Sequence, residues 1–336
     1  MKKHLLATAA LTALALTLAG CAGTDTETAA ASGDSADPTT LIIAEPVHGV
    51  GYLPLYAAMA EGYFEDEGLN IELTTLTGGA HVTAVLSGDA WAFIGGPESG
   101  AIANAKGAEL VTVAGVVNKA NIYWTAKEGV DIDTDDLAAS LKGKRIAIGR
   151  HGGSPEIISL YLLKELGLDP SDVEITNNDQ SGSELALIQA DKVDIAVTTE
   201  LVLGQGITEG VWTEPILNIP AELGDFAYSS IVLDKKVTEE DPDTVRAFNR
   251  ALAKGMEFVL GDEEGTRALA VTEFPTMNAD VIDATIDRAY ADELWTGVDI
   301  SDEGLQLDLD VSREAGLLVD DGKVTVETLL DRSFME

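Results

Sequence analysis

Short apolar runs alternate with amphipathic stretches along most of the chain. Leu41-Ile42-Ile43-Ala44 has the length and composition of a buried parallel strand and stops at Glu45-Pro46. From about Leu53, the residues Leu55, Ala58, Met59 and Tyr63 recur at helical spacing, and Gly68 ends that segment before a strand-like run from Leu69 to Leu76. A helix then opens at Gly78-Gly79-Ala80-His81 and continues through Leu86. A strand from Trp91 to Ile94, with Trp91 expected in the core, leads through Gly95-Gly96-Pro97 into another helix. The same rhythm returns at Arg145-Ile146-Ala147-Ile148-Gly149, with Ser154 expected to cap a helix from Pro155 to Leu166. Val173 to Thr176, a helix from Gly182 to Ala190 and the strand Ile195-Ala196-Val197 follow. From Asp241 the pattern is helical, with Val245, Phe248, Leu252, Met256 and Val259 on one face. Strands alternating with helices of this length predict an α/β fold of parallel-rich sheets flanked by crossover helices. No repeat at a solenoid period is present.

The first residues follow another pattern. Lys2 and Lys3 precede an apolar run from Leu5 to Leu18, and Leu18-Ala19-Gly20-Cys21 follows. The run is about 14 residues, short of the roughly 20 that a spanning helix needs, so residues 1–21 read as a lipoprotein signal with Cys21 as the lipidated residue. Residues 22–40 hold almost nothing apolar larger than alanine and are expected to form a disordered tether. The expected location is extracytoplasmic, anchored to the cell membrane through Cys21.

Cys21 is the only cysteine, which excludes an intramolecular disulfide. The 336 residues are 46% hydrophobic, enough for two domains or one two-lobed body. With 21 Lys+Arg against 58 Asp+Glu, the chain lacks the clustered basic surface that nucleic-acid binding requires. The acid is read as a solvated surface.

Several segments, in order, resemble one family. They are Gly51-Tyr52-Leu53-Pro54-Leu55-Tyr56-Ala57-Ala58 with Glu61-Gly62-Tyr63-Phe64 and Glu67-Gly68-Leu69, then Leu86-Ser87-Gly88-Asp89, then Leu141-Lys142-Gly143-Lys144-Arg145-Ile146-Ala147. Tyr161 to Leu168 leading to Ser171-Asp172-Val173, and Asp243 to Leu260, complete the set. Together they resemble the solute-binding proteins of ABC importers that take nitrate, sulfonates, taurine or thiamine-precursor pyrimidines. The resemblance implies a type II periplasmic-binding-protein-like fold of two hinged α/β lobes, with 41–142 plus 236–336 as lobe one and 143–235 as lobe two. It also implies a small-molecule solute, a membrane permease as partner, a monomer, no cofactor and no enzymatic activity. Trp91 to Ile94 departs from the family's commoner acidic-led strand, and the acidic tail after Asp299 matches nothing in it.

Open α/β sheets bind ligands beyond the carboxyl ends of their strands. That rule selects the loops Pro46 to Tyr52, Thr77 to His81, Gly95 to Ser99, Gly149 to Ser154, Asn177 to Ser183 and Thr198 to Glu200. Candidate ligand contacts within them are His48, Tyr52, Gly79, His81, Gly96, Glu98, Arg150, His151, Gly152, Gly153, Ser154, Asn178 and Glu200. In Gly149-Arg150-His151-Gly152-Gly153-Ser154 the glycines let a ligand approach the backbone, helix-start amides face it, and Arg150 adds a charge-assisted bond. A plain strand-to-helix turn accounts for the same residues. Tyr52 offers a ring for stacking, while Glu98 and Glu200 serve either a ligand's amino group or the dipole of the helix each begins.

Three readings of function stay open. A transport receptor closes its lobes on a solute. A surface-anchored, metal-assisted enzyme would use His48, His81, His151 and Glu98, although their spacing matches no metal motif and neither Gly-x-Ser-x-Gly nor His-Glu-x-x-His occurs. A lipid-anchored interaction protein would keep the fold without the solute.

Overall fold

β1 (Thr39–Glu45) and β2 (Leu69–Thr75) pair in parallel, Thr39 opposite Leu69, and β3 (Ala92–Gly95) pairs in parallel with β1 on its other side. β4 (Leu110–Val117) is buried along its whole length. Between β3 and β4 lies β10 (Ser229–Asp234), antiparallel to both, which gives the order β2-β1-β3-β10-β4. The second sheet holds β5 (Tyr123–Ala126), β6 (Arg145–Ala147), β7 (Glu174–Thr176), β8 (Ile195–Thr198) and β9 (Leu217–Asn218) in the order β7-β6-β8-β5-β9, with β5 the antiparallel member. This computed structural model describes residues 38–178, 180, 182–319 and 322–335. The signal 1–21, Cys21 and all but the last three residues of the expected tether lie outside the described residues. Those last residues are ordered, because the β-branched Thr39 and Thr40 extend the β1 ladder.

Both sheets are mixed, each holding one antiparallel strand where the chain has just crossed from the other sheet. Tyr123–Ala126 joins the second sheet and Ser229–Asp234 joins the first. Hydrophobic periodicity carries no information about which edge a strand will pair with, so these two crossings are not visible in the runs themselves.

Helix Leu53–Ala60 covers one face of the first sheet and packs on helix Pro242–Gly261. Asp241 caps the longer helix by accepting the Thr244 N–H at 3.3 Å, and Val245, Phe248, Leu252, Met256 and Val259 are all buried along its inner face. A Cβ at Gly255 would lie 2.2 Å from the Pro54 carbonyl oxygen, so only glycine permits this approach. Ala44, Val85, Phe93 and Val232 fill the opposite face of the sheet. The acidic tail is part of the fold: helix Asp302–Glu314 packs on both helix Pro97–Ala105 and helix Ser154–Glu165, burying Leu305 and Leu309 in one core cluster and Val311 in another. Gly153, not Ser154, holds the cap position of helix Ser154–Glu165, which leaves the Ser154 hydroxyl free to bond elsewhere. No helix among the described residues is long and apolar enough to cross a membrane.

Candidate ligand-binding site

The loops after β1, β2 and β3 in one sheet and after β6, β7 and β8 in the other enclose a cavity of about 390 Å³. Of the residues selected from sequence, His48, Tyr52, Gly96, Arg150, Gly153, Ser154 and Asn178 are on its wall. His48 is held by two acids: Nδ1 lies 3.1 Å from Glu45 and Nε2 lies 3.4 Å from Glu273. The hydrogen bond to Glu45 raises its pKa above the ordinary histidine value. Asn178 accepts the Gly149 N–H at 2.8 Å and donates to Glu184 at 3.0 Å.

Gly79, His81, Glu98, His151, Gly152 and Glu200 are not on that wall. Gly79 caps helix Ala80–Ser87 in a left-handed conformation. His81 is buried edge-on to Phe93, with ring centroids 5.2 Å apart, and burial beside the Arg150 charge pushes its pKa down to about 4. His151 is exposed and pairs with Glu156 at 3.0 Å. The Gly152 N–H donates to the same Glu156 carboxylate at 2.6 Å, while the Gly153 N–H bonds the Arg150 carbonyl at 3.0 Å. The glycine amides expected to receive an anion are thus bonded within the protein, and Glu156 already occupies the start of the helix. Glu200 faces away, accepting from Thr285 at 2.9 Å; burial pushes its pKa up to about 7. Arg288 Nε sits 2.7 Å from Glu200 Oε1 but off the hydrogen-bonding axis, so that contact is an ion pair only.

Glu98 lies immediately behind the wall. A Cβ at Gly96 would fall 1.9 Å from Glu98 Oε2, so glycine there is what lets the carboxyl fold back over the loop. Ser154, across the cleft, donates to Glu98 Oε1 at 2.5 Å. Burial pushes the Glu98 pKa up to about 7. The three histidines and Glu98 therefore occupy separate settings, and no group of three metal-ligating side chains forms among the described residues.

The wall also contains Glu184, Thr198, Tyr228 and Ser229. Glu184 accepts from Thr198 at 2.8 Å and, being buried, has a raised pKa. Its place at a helix start, the signal that singled out Glu98 and Glu200, marks it equally. Tyr228 and Ser229 carry no such signal, because they reach the cleft only through the crossing that begins β10.

Arg150 is the feature with the clearest chemistry. Arg145, Arg246, Arg250, Arg267, Arg288, Arg313 and Arg332 each pair with a carboxylate. Among the described residues, Arg150 alone of the arginines has no carboxylate within ion-pair distance. Its guanidinium rests over Gly153, where a Cβ would lie 3.4 Å from Nη2, and it faces the cavity. Leaving one arginine unpaired is notable in a chain of formal net charge −37.

Two mixed α/β sheets sharing a cleft at their strand ends define the periplasmic-binding-protein fold. The alkanesulfonate-binding protein SsuA from Xanthomonas axonopodis superposes with a TM-score of 0.73, at 19% identity, over 88% of this chain and 99% of that one. The chain belongs to the NMT1/THI5-like family, whose sequence model matches residues 50–266. YtlA of Bacillus subtilis is 25% identical over 256 residues, 74% of this chain and 75% of that protein. The 4-amino-5-hydroxymethyl-2-methylpyrimidine phosphate synthase THI11 of Saccharomyces cerevisiae is 24% identical over 255 residues, 71% of this chain and 72% of that enzyme.

Proposed function

We propose that the protein is the extracytoplasmic solute-binding component of an ABC importer, taking a small organic or oxyanion solute between its two sheets and delivering it to a membrane permease. Arg150 carries the reading. A planar, always-charged donor without an internal carboxylate suits an anionic group brought from outside. Tyr52, Tyr228, Val47 and Val197 give the same cavity an apolar lining, with Ser154, Asn178 and Thr198 as polar points, a combination suited to an organic body with one charged end. Loops from both sheets reach the ligand, so binding favours their closure over the open arrangement. The likeness to an alkanesulfonate-binding protein supports sulfonates as first candidates, followed by taurine, nitrate and the thiamine-precursor pyrimidine. The protein acts as a binder rather than an enzyme. It works as a monomer, held to the membrane by lipid on Cys21. A thermal-shift screen of methanesulfonate, taurine, nitrate and 4-amino-5-hydroxymethyl-2-methylpyrimidine tests this, because ligand at 100 times its Kd adds about 2.7 kcal/mol of stability. Stabilisation by one of them without turnover supports the proposal. No stabilisation by any, or measurable conversion of one, overturns it.

A further inference from the structure

Two groups of opposite charge face the same cavity without meeting. Arg150 stands in the loop after β6, and Glu184 lies in the first turn of helix Ser183–Gln189, which follows β7. Strands β6 and β7 are neighbours in the second sheet, so both groups come from one side of the cleft. Glu184 is 3% exposed, and among the described residues no Lys, Arg or His lies within ion-pair distance of its carboxyl. Its partners are neutral: the Thr198 hydroxyl donates to Oε1 at 2.8 Å, and the Asn178 amide donates to Oε2 at 3.0 Å. Glu184 accepts both bonds, which favours the carboxylate and works against the effect of burial.

The other ionisable groups at the cavity are differently placed. His48 is engaged by Glu45 and Glu273, Glu98 lies behind the wall bonded to Ser154, and burial keeps the phenols of Tyr52 and Tyr228 neutral. Arg150 and Glu184 are therefore the two charges of the wall left without a counter-ion, and the fold holds them apart instead of pairing them. A desolvated charge without a partner is costly, and one molecule that carries both signs compensates both groups at once. A plain anion satisfies Arg150 but brings a second negative charge into the cavity that Glu184 faces. A plain cation does the reverse. The volume of about 390 Å³ also lies in the range that takes organic molecules of many atoms, with Tyr52, Tyr228 and Val197 as apolar surface.

We propose that the solute is a zwitterion whose anionic group bonds Arg150, whose protonated amine bonds Glu184, and whose apolar body lies against the tyrosines. This rests on the solute-binding reading above and narrows it to one class of ligand. Glu184 is then a specificity-determining residue, because a simple anion of the same shape leaves its carboxylate unpaired.

Calorimetry at neutral pH with three matched pairs tests it on the parent protein. Taurine is set against ethanesulfonate, 3-(cyclohexylamino)propanesulfonate against 4-cyclohexylbutanesulfonate, and 4-(aminomethyl)benzoate against 4-methylbenzoate. Within each pair the anion is kept and the charged nitrogen is removed. The amine is expected to bind about tenfold tighter or more in at least one pair. Glu184→Gln keeps the shape and removes the charge, and is expected to bring that ratio close to one. A merely structural carboxyl would lower both affinities and leave the ratio as it is. If Glu184→Gln does not fold, Glu184→Asp, which withdraws the charge by one methylene, is expected to reduce the ratio. Equal affinity within every pair that binds overturns the zwitterion and leaves the solute-binding reading standing. Binding by no member of any pair also overturns it, and the wider solute screen then decides that reading separately. A preference for the amine that survives unreduced in the folded Glu184 variant overturns the role of Glu184.

Discussion

The imidazole of His48 lies over the phenol of Tyr56, ring centroids 4.5 Å apart and planes 25° from parallel, and both side chains bond the same buried carboxylate of Glu45. With Nε2 turned to Glu273, both ring nitrogens are engaged by acids. A ligand in the cavity therefore meets the ring's carbon surface rather than a free nitrogen.

This clamp has a pH signature. Because the folded-state pKa of His48 is raised, the fold binds the proton more tightly than the unfolded chain does. The stabilisation is fully present below the ordinary histidine pKa of about 6.5 and is lost as pH rises through the raised folded value. Glu273→Gln should lower that folded value, as read from the His48 ring-proton titration by NMR. An unmoved titration would mean that Glu273 does not reach the ring in solution.

Arg150→Ala should separate binding from stability. Arg150 has no internal carboxylate to leave stranded, so its removal is expected to change unfolding free energy by no more than about 0.5 kcal/mol. Loss of a charge-assisted bond of about 1.5 to 3 kcal/mol should weaken the ligand identified by screening by roughly tenfold to a hundredfold. Calorimetry on the folded variant measures both. Affinity equal to the parent's would remove Arg150 from the site.

Gly255→Ala pits two effects against each other. Alanine gains about 1 kcal/mol of helix propensity over glycine, but its Cβ would collide with backbone at Pro54, and overpacking of that kind costs about 1 to 3 kcal/mol. Net destabilisation in denaturant unfolding is expected. Gly261→Ala, at the end of the same helix with nothing within 4 Å of its Cβ, is the matched control and should be neutral or stabilising.

Cys21→Ser should release the protein from membranes, since the proposed anchoring depends on acyl chains at that thiol. Fractionation of cells carrying the variant tests it. Continued membrane retention after correct processing would count against the lipid anchor.

Much of the fold is legible because buried strands and amphipathic helices have different periods. Leu41 to Ala44, Arg145 to Ile148 and the Val245 to Val259 face all emerge from that contrast. Partner choice is not legible, so the sheets that β5 and β10 join are not readable from their own residues. The strand-end rule finds the cavity loops, yet it does not tell which way a side chain turns within them. Arg150 and Ser154 turn toward the cleft, whereas Glu200 turns to Thr285 and His151 to Glu156. The glycines around Arg150 suggest exposed amides, but a carboxylate four residues beyond Gly152 claims that N–H, a competition that only the folded loop reveals.

Every strand of the second sheet lies between residues 123 and 218, whereas the first sheet is incomplete until β10, at 229–234, enters between β3 and β4. A chain that emerges amino end first can thus finish its second sheet while β3 and β4 still present open inner edges. Such edges are templates for pairing with other chains. The interval before the last third of the polypeptide appears is accordingly the stage at which this protein is most exposed to aggregation during biosynthesis, and it is the stage a holding chaperone would have to cover.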